Sequence, residues 1–309
     1  MRILVTGGAG FIGSHIVDTY LAAGHDVCVV DNLSTGFREN VNPAASFVEC
    51  DICSDKIEKV FAQHKPQVVN HLAAQMDVRR SLESPVFDAD SNILGSIRLL
   101  ECCVKHQADK FIFASTGGAI YGEPETLPAA ETCEPRPLCH YGVSKYCAEQ
   151  YVQLYSRLYD LDYTVLRFAN VYGPRQNPHG EAGVCAIFIL QMIKGAQPIL
   201  YGHGEPLRDY VYVEDVARAN LLALEMGSGE IINLGTARGT SVRAVYDAIK
   251  SILSYGGEPI LKPRRVGEVD RVYLANRRAK EALGWQPEVD LNEGLRRTAA
   301  QIGDAARRS

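Results

Sequence analysis

The chain reads as an α/β fold, a doubly wound parallel sheet joined to a smaller C-terminal α/β substrate-binding lobe. Three observations predict it. Short apolar runs of strand length alternate with helical patterns through the first half of the chain, which implies parallel strands connected by helices. The runs are nearly continuous in apolar residues, as expected of strands covered on both faces. At 309 residues the chain exceeds the size at which one hydrophobic core usually stops growing, so a second lobe is expected.

The elements follow in order. Residues 3–5 form the first apolar run, too short to span a membrane. It leads into Gly7-Gly8-Ala9-Gly10-Phe11-Ile12-Gly13, a helical stretch over 14–23, and a second run over 27–30 that closes on Asp31. Gly7, Gly10 and Gly13 let backbone N–H groups, with Phe11 and Ile12 in the same turn, approach a pyrophosphate at a helix N-terminus, where unpaired donors and the dipole favour an anion. Asp31 can accept from both hydroxyls of an adenosine ribose and would repel a 2′-phosphate, so NAD is favoured over NADP. This is the Rossmann-type arrangement. Further strands are predicted over 46–49, 67–72, 111–114 and 164–168, and helices over 54–64, 87–106 and 141–159.

Ligands of such a sheet sit at the carboxyl ends of the strands. Asp51 and Ile52 follow the third strand, where they could meet an adenine. Leu72, Ala73 and Ala74 follow the fourth, where small residues let a dinucleotide pass. Ser115 and Thr116 close the fifth and bring hydroxyls beside Tyr141. Tyr141 and Lys145 share one face of their helix, since residues four apart superpose. A cationic lysine, helped by a cationic cofactor ring, would lower the tyrosine toward the operating pH and make it a general base.

Composition narrows the partners. A net charge of −5 argues against a nucleic-acid footprint and points to a small-molecule substrate. No membrane partner is expected. The nine cysteines are scattered, and Cys50 and Cys53, although spaced C-x-x-C, lack the further ligands of a metal site, so no metal is expected. Buried free thiols in a reducing cytoplasm are the reading adopted.

Gly7-x-x-Gly10-x-x-Gly13, Asp31-Asn32-Leu33, His71-Leu72-Ala73-Ala74, Thr116, Tyr121-Gly122, Tyr141-x-x-x-Lys145 and Arg167-Phe168-Ala169-Asn170-Val171-Tyr172-Gly173 occur in this order. Together they resemble the extended short-chain dehydrogenase/reductase family, and within it the UDP-glucose 4-epimerases. The resemblance runs from residue 1 to about 300. It implies that Tyr141 is the base, that Lys145 holds the nicotinamide ribose, that Asn32 belongs to the cofactor site, and that Thr116 or Ser115 bridges to the sugar 4-hydroxyl. The reaction implied is oxidation at C4 to a transient 4-keto sugar, rotation of the sugar, and reduction on its other face, with NAD retained. Related 4,6-dehydratases carry an Asp-Glu pair after the threonine; here Gly117 and Gly118 stand instead.

The resemblance also implies a UDP clamp of Asn170, Tyr201 stacking on uracil, Arg208 and Arg265 on phosphate, and Glu268 on the uridine ribose. Aligning Arg265-Val266-Gly267-Glu268 puts Val272 near the position that gates the sugar's C2 substituent, leaving room for an N-acetyl group. The expected domains are a nucleotide-binding unit over 1–174, to which the chain returns near 210–224, and a nucleotide-sugar lobe over 175–309. A homodimer formed through the helices over 87–106 and 141–159 is the assembly implied. Alternatives on the same fold are a UDP-glucuronate 4-epimerase or another nucleotide-sugar-modifying short-chain dehydrogenase. A non-catalytic NAD-binding regulatory protein is a third, although such proteins typically lose the tyrosine or the lysine.

Overall fold

In the computed structural model, which describes residues 1–179, 183–264 and 269–308, the first apolar run becomes strand β1 (Arg2–Thr6). Only Arg2 at its edge is exposed. It lies between β2 (Asp26–Asp31) and β4 (Val68–His71), and β3 (Ser46–Glu49), β5 (Lys110–Thr116) and β6 (Asp162–Phe168) extend the same sheet outward. A seventh strand, Glu230–Leu234, pairs in parallel with β6. From edge to edge the order is Glu230–Leu234, β6, β5, β4, β1, β2, β3, every pairing parallel. The order reverses direction at β1 and β4, so a crevice opens there at the carboxyl ends.

Apolar layers cover both faces of this sheet. One contains Ile3, Val5, Ile16, Val17 and Trp285 and is closed by helix α1 (Phe11–Ala22) and the Val213–Leu222 helix. The other contains Leu4, Val30, Phe61, Leu99 and Phe113. Adjacent strand residues pointing to opposite layers explain why these strands read as unbroken apolar runs. A third cluster, built around Phe188, Ile189, Leu200, Tyr246 and Leu295, forms the core of the C-terminal lobe.

Two differences from the sequence expectation have physical causes. The helix expected over 87–106 is three pieces: Pro85–Ala89, a wide π turn at Asp90–Leu94, and Gly95–Lys105. The extra residue of the π turn goes with a buried Asn92, which donates to the Gln75 carbonyl at 2.9 Å. The strand Glu230–Leu234 went unnamed in the sequence reading because it is partnered only through β6, far away in sequence. Among the described residues no helix is long and apolar enough to cross a membrane.

Candidate functional site

The glycine turn is fixed by close backbone approach. Gly7 has φ +72°, and a Cβ on it would lie 2.7 Å from the Ala73 nitrogen. A Cβ on Gly13 would lie 2.2 Å from the Gly7 carbonyl oxygen. The turn thereby folds onto the first turn of α1, where Gly10 is the N-cap residue and no side chain caps the helix. Phe11 and Ile12 are half-buried in that first turn. The result is a cradle of backbone donors at a helix N-terminus, which suits a diphosphate.

Asp31 ends β2 and is buried; its carboxylate accepts from Ala9 N at 3.0 Å and Leu33 N at 2.9 Å. Burial raises its pKa, and the two N–H donors oppose that rise. Next to it Asn32 Nδ2 donates to Asp51 Oδ2 at 2.9 Å, and Asp51 Oδ1 accepts from Cys53 N at 2.8 Å. Ile52 is buried between them. Across the cradle Ala73 N donates to Thr6 Oγ1 at 3.3 Å, and Leu72 N to the Thr6 carbonyl at 3.1 Å. Leu72, Ala73 and Ala74 are half-buried along this rim. The glycine approach, the uncapped helix and the ribose-side carboxylate together fit an NAD molecule.

Tyr141 and Lys145 lie in the first turns of the His140–Tyr159 helix. Lys145 is buried, with Nζ 4.3 Å from the centroid of the Phe113 ring. Burial pushes it down to about 7, against the opposing pull of Glu149 and Asp88. Tyr141 is pushed well above 10, chiefly by burial and further by Cys139 and Asp88. Desolvation therefore favours the neutral form of both groups, and the lowering expected of the tyrosine rests on a cationic lysine together with the cofactor ring.

Ser115 and Thr116 point to opposite sides of β5. The Ser115 hydroxyl is buried and donates to Glu149 Oε1 at 2.5 Å. Glu149 is held in turn by Arg167, Nη2 to Oε2 at 2.6 Å and Nε to Oε1 at 2.9 Å, and Arg167 Nη1 donates to the Tyr121 hydroxyl at 2.8 Å. Thr116 lies half-buried at the strand end, ahead of the short Gly117–Ile120 helix. A Cβ on Gly117 would meet Leu274 Cδ1 at 2.4 Å, and one on Gly118 would lie 3.1 Å from Asn170 Oδ1. A side chain at 117 would have to displace Leu274, one at 118 would crowd Asn170, and Asn170 is thus brought against this turn.

The rest of the expected clamp is only partly described. Arg208 Nη2 donates to the Val269 carbonyl at 2.6 Å, and Nη1 to those of Leu207 and Asp270 at 2.9 and 3.2 Å. Tyr201 ends the strand Ile199–Tyr201 and pairs with Lys262. Val272 is buried in the Arg271–Val272 strand beside Arg208. Arg265 and Glu268 lie outside the described residues. Sequence reading missed Asp88, Gln75 and Glu149; the signal available for Glu149 was its place four residues after Lys145, on the same helix face.

The chain matches the model of the NAD dependent epimerase/dehydratase family over residues 3–235. A relative from Methanocaldococcus jannaschii, called putative UDP-glucose 4-epimerase, is 51% identical over 295 residues and 96% of each chain is covered. A UDP-glucose 4-epimerase from Mycolicibacterium smegmatis is 43% identical, with 96% of this chain and 97% of the relative covered. The crystal structure of UDP-glucose 4-epimerase from Thermotoga maritima with UDP-glucose superposes with a TM-score of 0.98 at 51% identity, covering 99% of this chain and 100% of that one. That of the Thermus thermophilus UDP-glucose 4-epimerase with NAD gives 0.93 at 45%, covering 98% and 99%. With a family match across most of its length and a sheet of the same build, the chain belongs to the NAD-dependent epimerase/dehydratase family, in the UDP-glucose 4-epimerase group of the extended short-chain dehydrogenases.

Proposed function

We propose that this chain interconverts UDP-hexoses at C4, UDP-galactose and UDP-glucose first among them, with NAD as retained cofactor. The observation that carries the reading is one tyrosine–lysine pair at the carboxyl end of the sheet beside a diphosphate cradle, with Gly117 and Gly118 where a second acid would be needed for elimination. The relatives bearing the UDP-glucose 4-epimerase name, and the solved relatives with UDP-glucose and with NAD, support it.

The cradle of Gly7, Gly10 and Gly13 holds the cofactor diphosphate, and Asp31, with Asn32 and Asp51 beside it, the adenosine side. When bound, NAD supplies a hydride acceptor at C4 and a positive ring near the tyrosine. Tyr141 takes the proton of the 4-hydroxyl as the carbon is oxidised and returns it when the ketone is reduced. Thr116 is the bridging hydroxyl, because that of Ser115 is committed to Glu149. Lys145 orients the cofactor ribose and, once cationic, stabilises the phenolate. Asn170, Tyr201 and Arg208, with Arg265 and Glu268, hold UDP while the hexose turns over. The buried Val272 leaves a small side chain near the sugar C2 position, which suits an N-acetyl group.

Residues 1–174, to which the chain returns near 210–224 and adds the strand Glu230–Leu234, make the NAD unit, and the C-terminal lobe holds the nucleotide sugar. The exposed Val86, Phe87, Leu94, Val143 and Leu158 on the helical face of the NAD unit suit a second copy of the chain, giving a homodimer. A cytoplasmic location fits the free thiols.

The test is proton NMR of purified protein with UDP-galactose and, separately, UDP-N-acetylgalactosamine, with no cofactor added. Conversion to the 4-epimer without net NADH is expected. No conversion, even after NAD is supplied, would overturn the reading, and failure with the N-acetyl sugar alone would overturn only the Val272 assignment.

A further inference from the structure

Behind the Tyr141–Lys145 face lies a buried carboxylate that the reaction outlined above does not use. Asp88, on the Pro85–Ala89 helix, is 1% exposed and accepts from Ser144 Oγ at 2.7 Å, Gln75 Nε2 at 3.0 Å and Asn92 Nδ2 at 3.1 Å. None of these donors carries a charge. An interior carboxylate held by neutral donors alone keeps its field unneutralised, and that field acts on whichever ionisable groups are near.

The groups it acts on include the reacting pair. Ser144 immediately precedes Lys145 in the chain, and its hydroxyl also lies 3.1 Å from the Tyr141 carbonyl, so the Ser144–Asp88 bond ties the first turns of the His140–Tyr159 helix to the Pro85–Ala89 helix. Gln75 N donates to Asn92 Oδ1 at 2.9 Å and Gln75 Nε2 to the Asp77 carbonyl at 2.8 Å, which anchors the same cluster to the segment that follows β4. The cluster therefore joins three segments that line the site.

We propose that Asp88 is a positioning residue for proton transfer: through Ser144 it fixes the helix start that carries Tyr141 and Lys145, and its charge acts on both groups. This rests on the roles given to Tyr141 and Lys145 above. Burial drives Lys145 down, and Glu149 and Asp88 push it back up. For Tyr141 burial comes first, and Cys139 and Asp88 add to the rise. Glu149 shares the effect on Lys145 and Cys139 that on Tyr141, but Glu149 is paired with Arg167, and of the groups named Asp88 alone acts on both. His71, from β4, is buried and kept neutral by burial and by the Lys145 charge; Arg79, Arg80 and Glu83 on the neighbouring helix are exposed; Asp90 in the π turn is half-buried.

The experiment is kcat against pH for the NAD-loaded wild type, Asp88→Asn and Ser144→Ala. Asp88→Asn keeps the shape and removes the charge, so both limbs of the profile are expected to move toward acid by roughly one pH unit. Ser144→Ala keeps the charge and cuts the tie, so kcat is expected to fall on the order of tenfold with the limbs unmoved and KM little changed. Unmoved limbs in Asp88→Asn overturn the charge role, and full kcat in Ser144→Ala overturns the positioning role. Should Asp88→Asn not fold, Asp88→Ser carries the same expectation for the limbs. A wild type without epimerase activity would instead sink the functional reading itself, an outcome visible before either variant is made.

Discussion

The two ends of the site are built differently. At the cofactor end, recognition is carried mainly by backbone within the first 31 residues: glycines that close on Gly7 and Ala73, an uncapped helix and one carboxylate. At the catalytic end it is carried by side chains from β5, the π turn and the His140–Tyr159 helix, held by a buried polar framework reaching to Tyr121 and Asn233. A backbone cradle is specified locally and tolerates no added atom. A side-chain site is specified over long range and depends on hydrogen bonds that each need a partner.

Four variants would break or sharpen this contrast. The largest effect is expected from Tyr141→Phe, which removes the proton carrier and should cut kcat by about 10²–10⁴-fold while bound NAD, read by absorbance of the purified protein, stays near one per chain. Retained turnover would show that the base lies elsewhere. Glu149→Gln leaves the buried Arg167 guanidinium without its counter-charge and should cost about 3–5 kcal/mol in denaturant unfolding. Gly13→Ala, whose Cβ would crowd the Gly7 carbonyl, should cost about 1–3 kcal/mol and strip NAD from the folded protein; a variant that kept its NAD would show that the cradle can yield.

The smallest effect concerns His71, bonded through Nδ1 to Thr6 Oγ1 at 2.7 Å and through Nε2 to Ser96 Oγ at 3.0 Å. Burial first, then Lys145, lowers its pKa well below 6.5, so the unfolded chain binds the extra proton in the window below 6.5. The stability it contributes is complete above that pH and is lost as pH falls, by at most about 1.4 kcal/mol per pH unit. Melting curves between pH 7 and 5 should therefore slope less steeply in His71→Asn than in the wild type.

The same contrast explains what the sequence could disclose. Strand–glycine–helix–strand–acid is contiguous, so β1, α1, β2 and Asp31 were legible from spacing, and Tyr141 and Lys145 from a helical repeat. The strand Glu230–Leu234 was not, because its only partner in the sheet is β6, more than sixty residues earlier. Nor was the break in the helix after Pro85, since Asp90–Leu94 contains no proline or glycine and the break goes with the inward Asn92. Ser115 and Thr116 are neighbours in sequence, and only the pleat of β5 shows that the first faces Glu149. Asp88 carries no sequence signal of its own, because its donors Gln75, Asn92 and Ser144 are spread over seventy residues of chain.

Gly117 has a consequence for how such a chain could change its chemistry. Its missing side chain is the space that Leu274, far along the chain, occupies, and Leu274 N is itself anchored to Asp209 Oδ2 at 3.1 Å. A carboxylate introduced at 117 to open an elimination route would have to displace that leucine. An evolutionary path to dehydration through this position thus involves residue 274 as well, and the acid is accepted more readily once that leucine is smaller or has shifted.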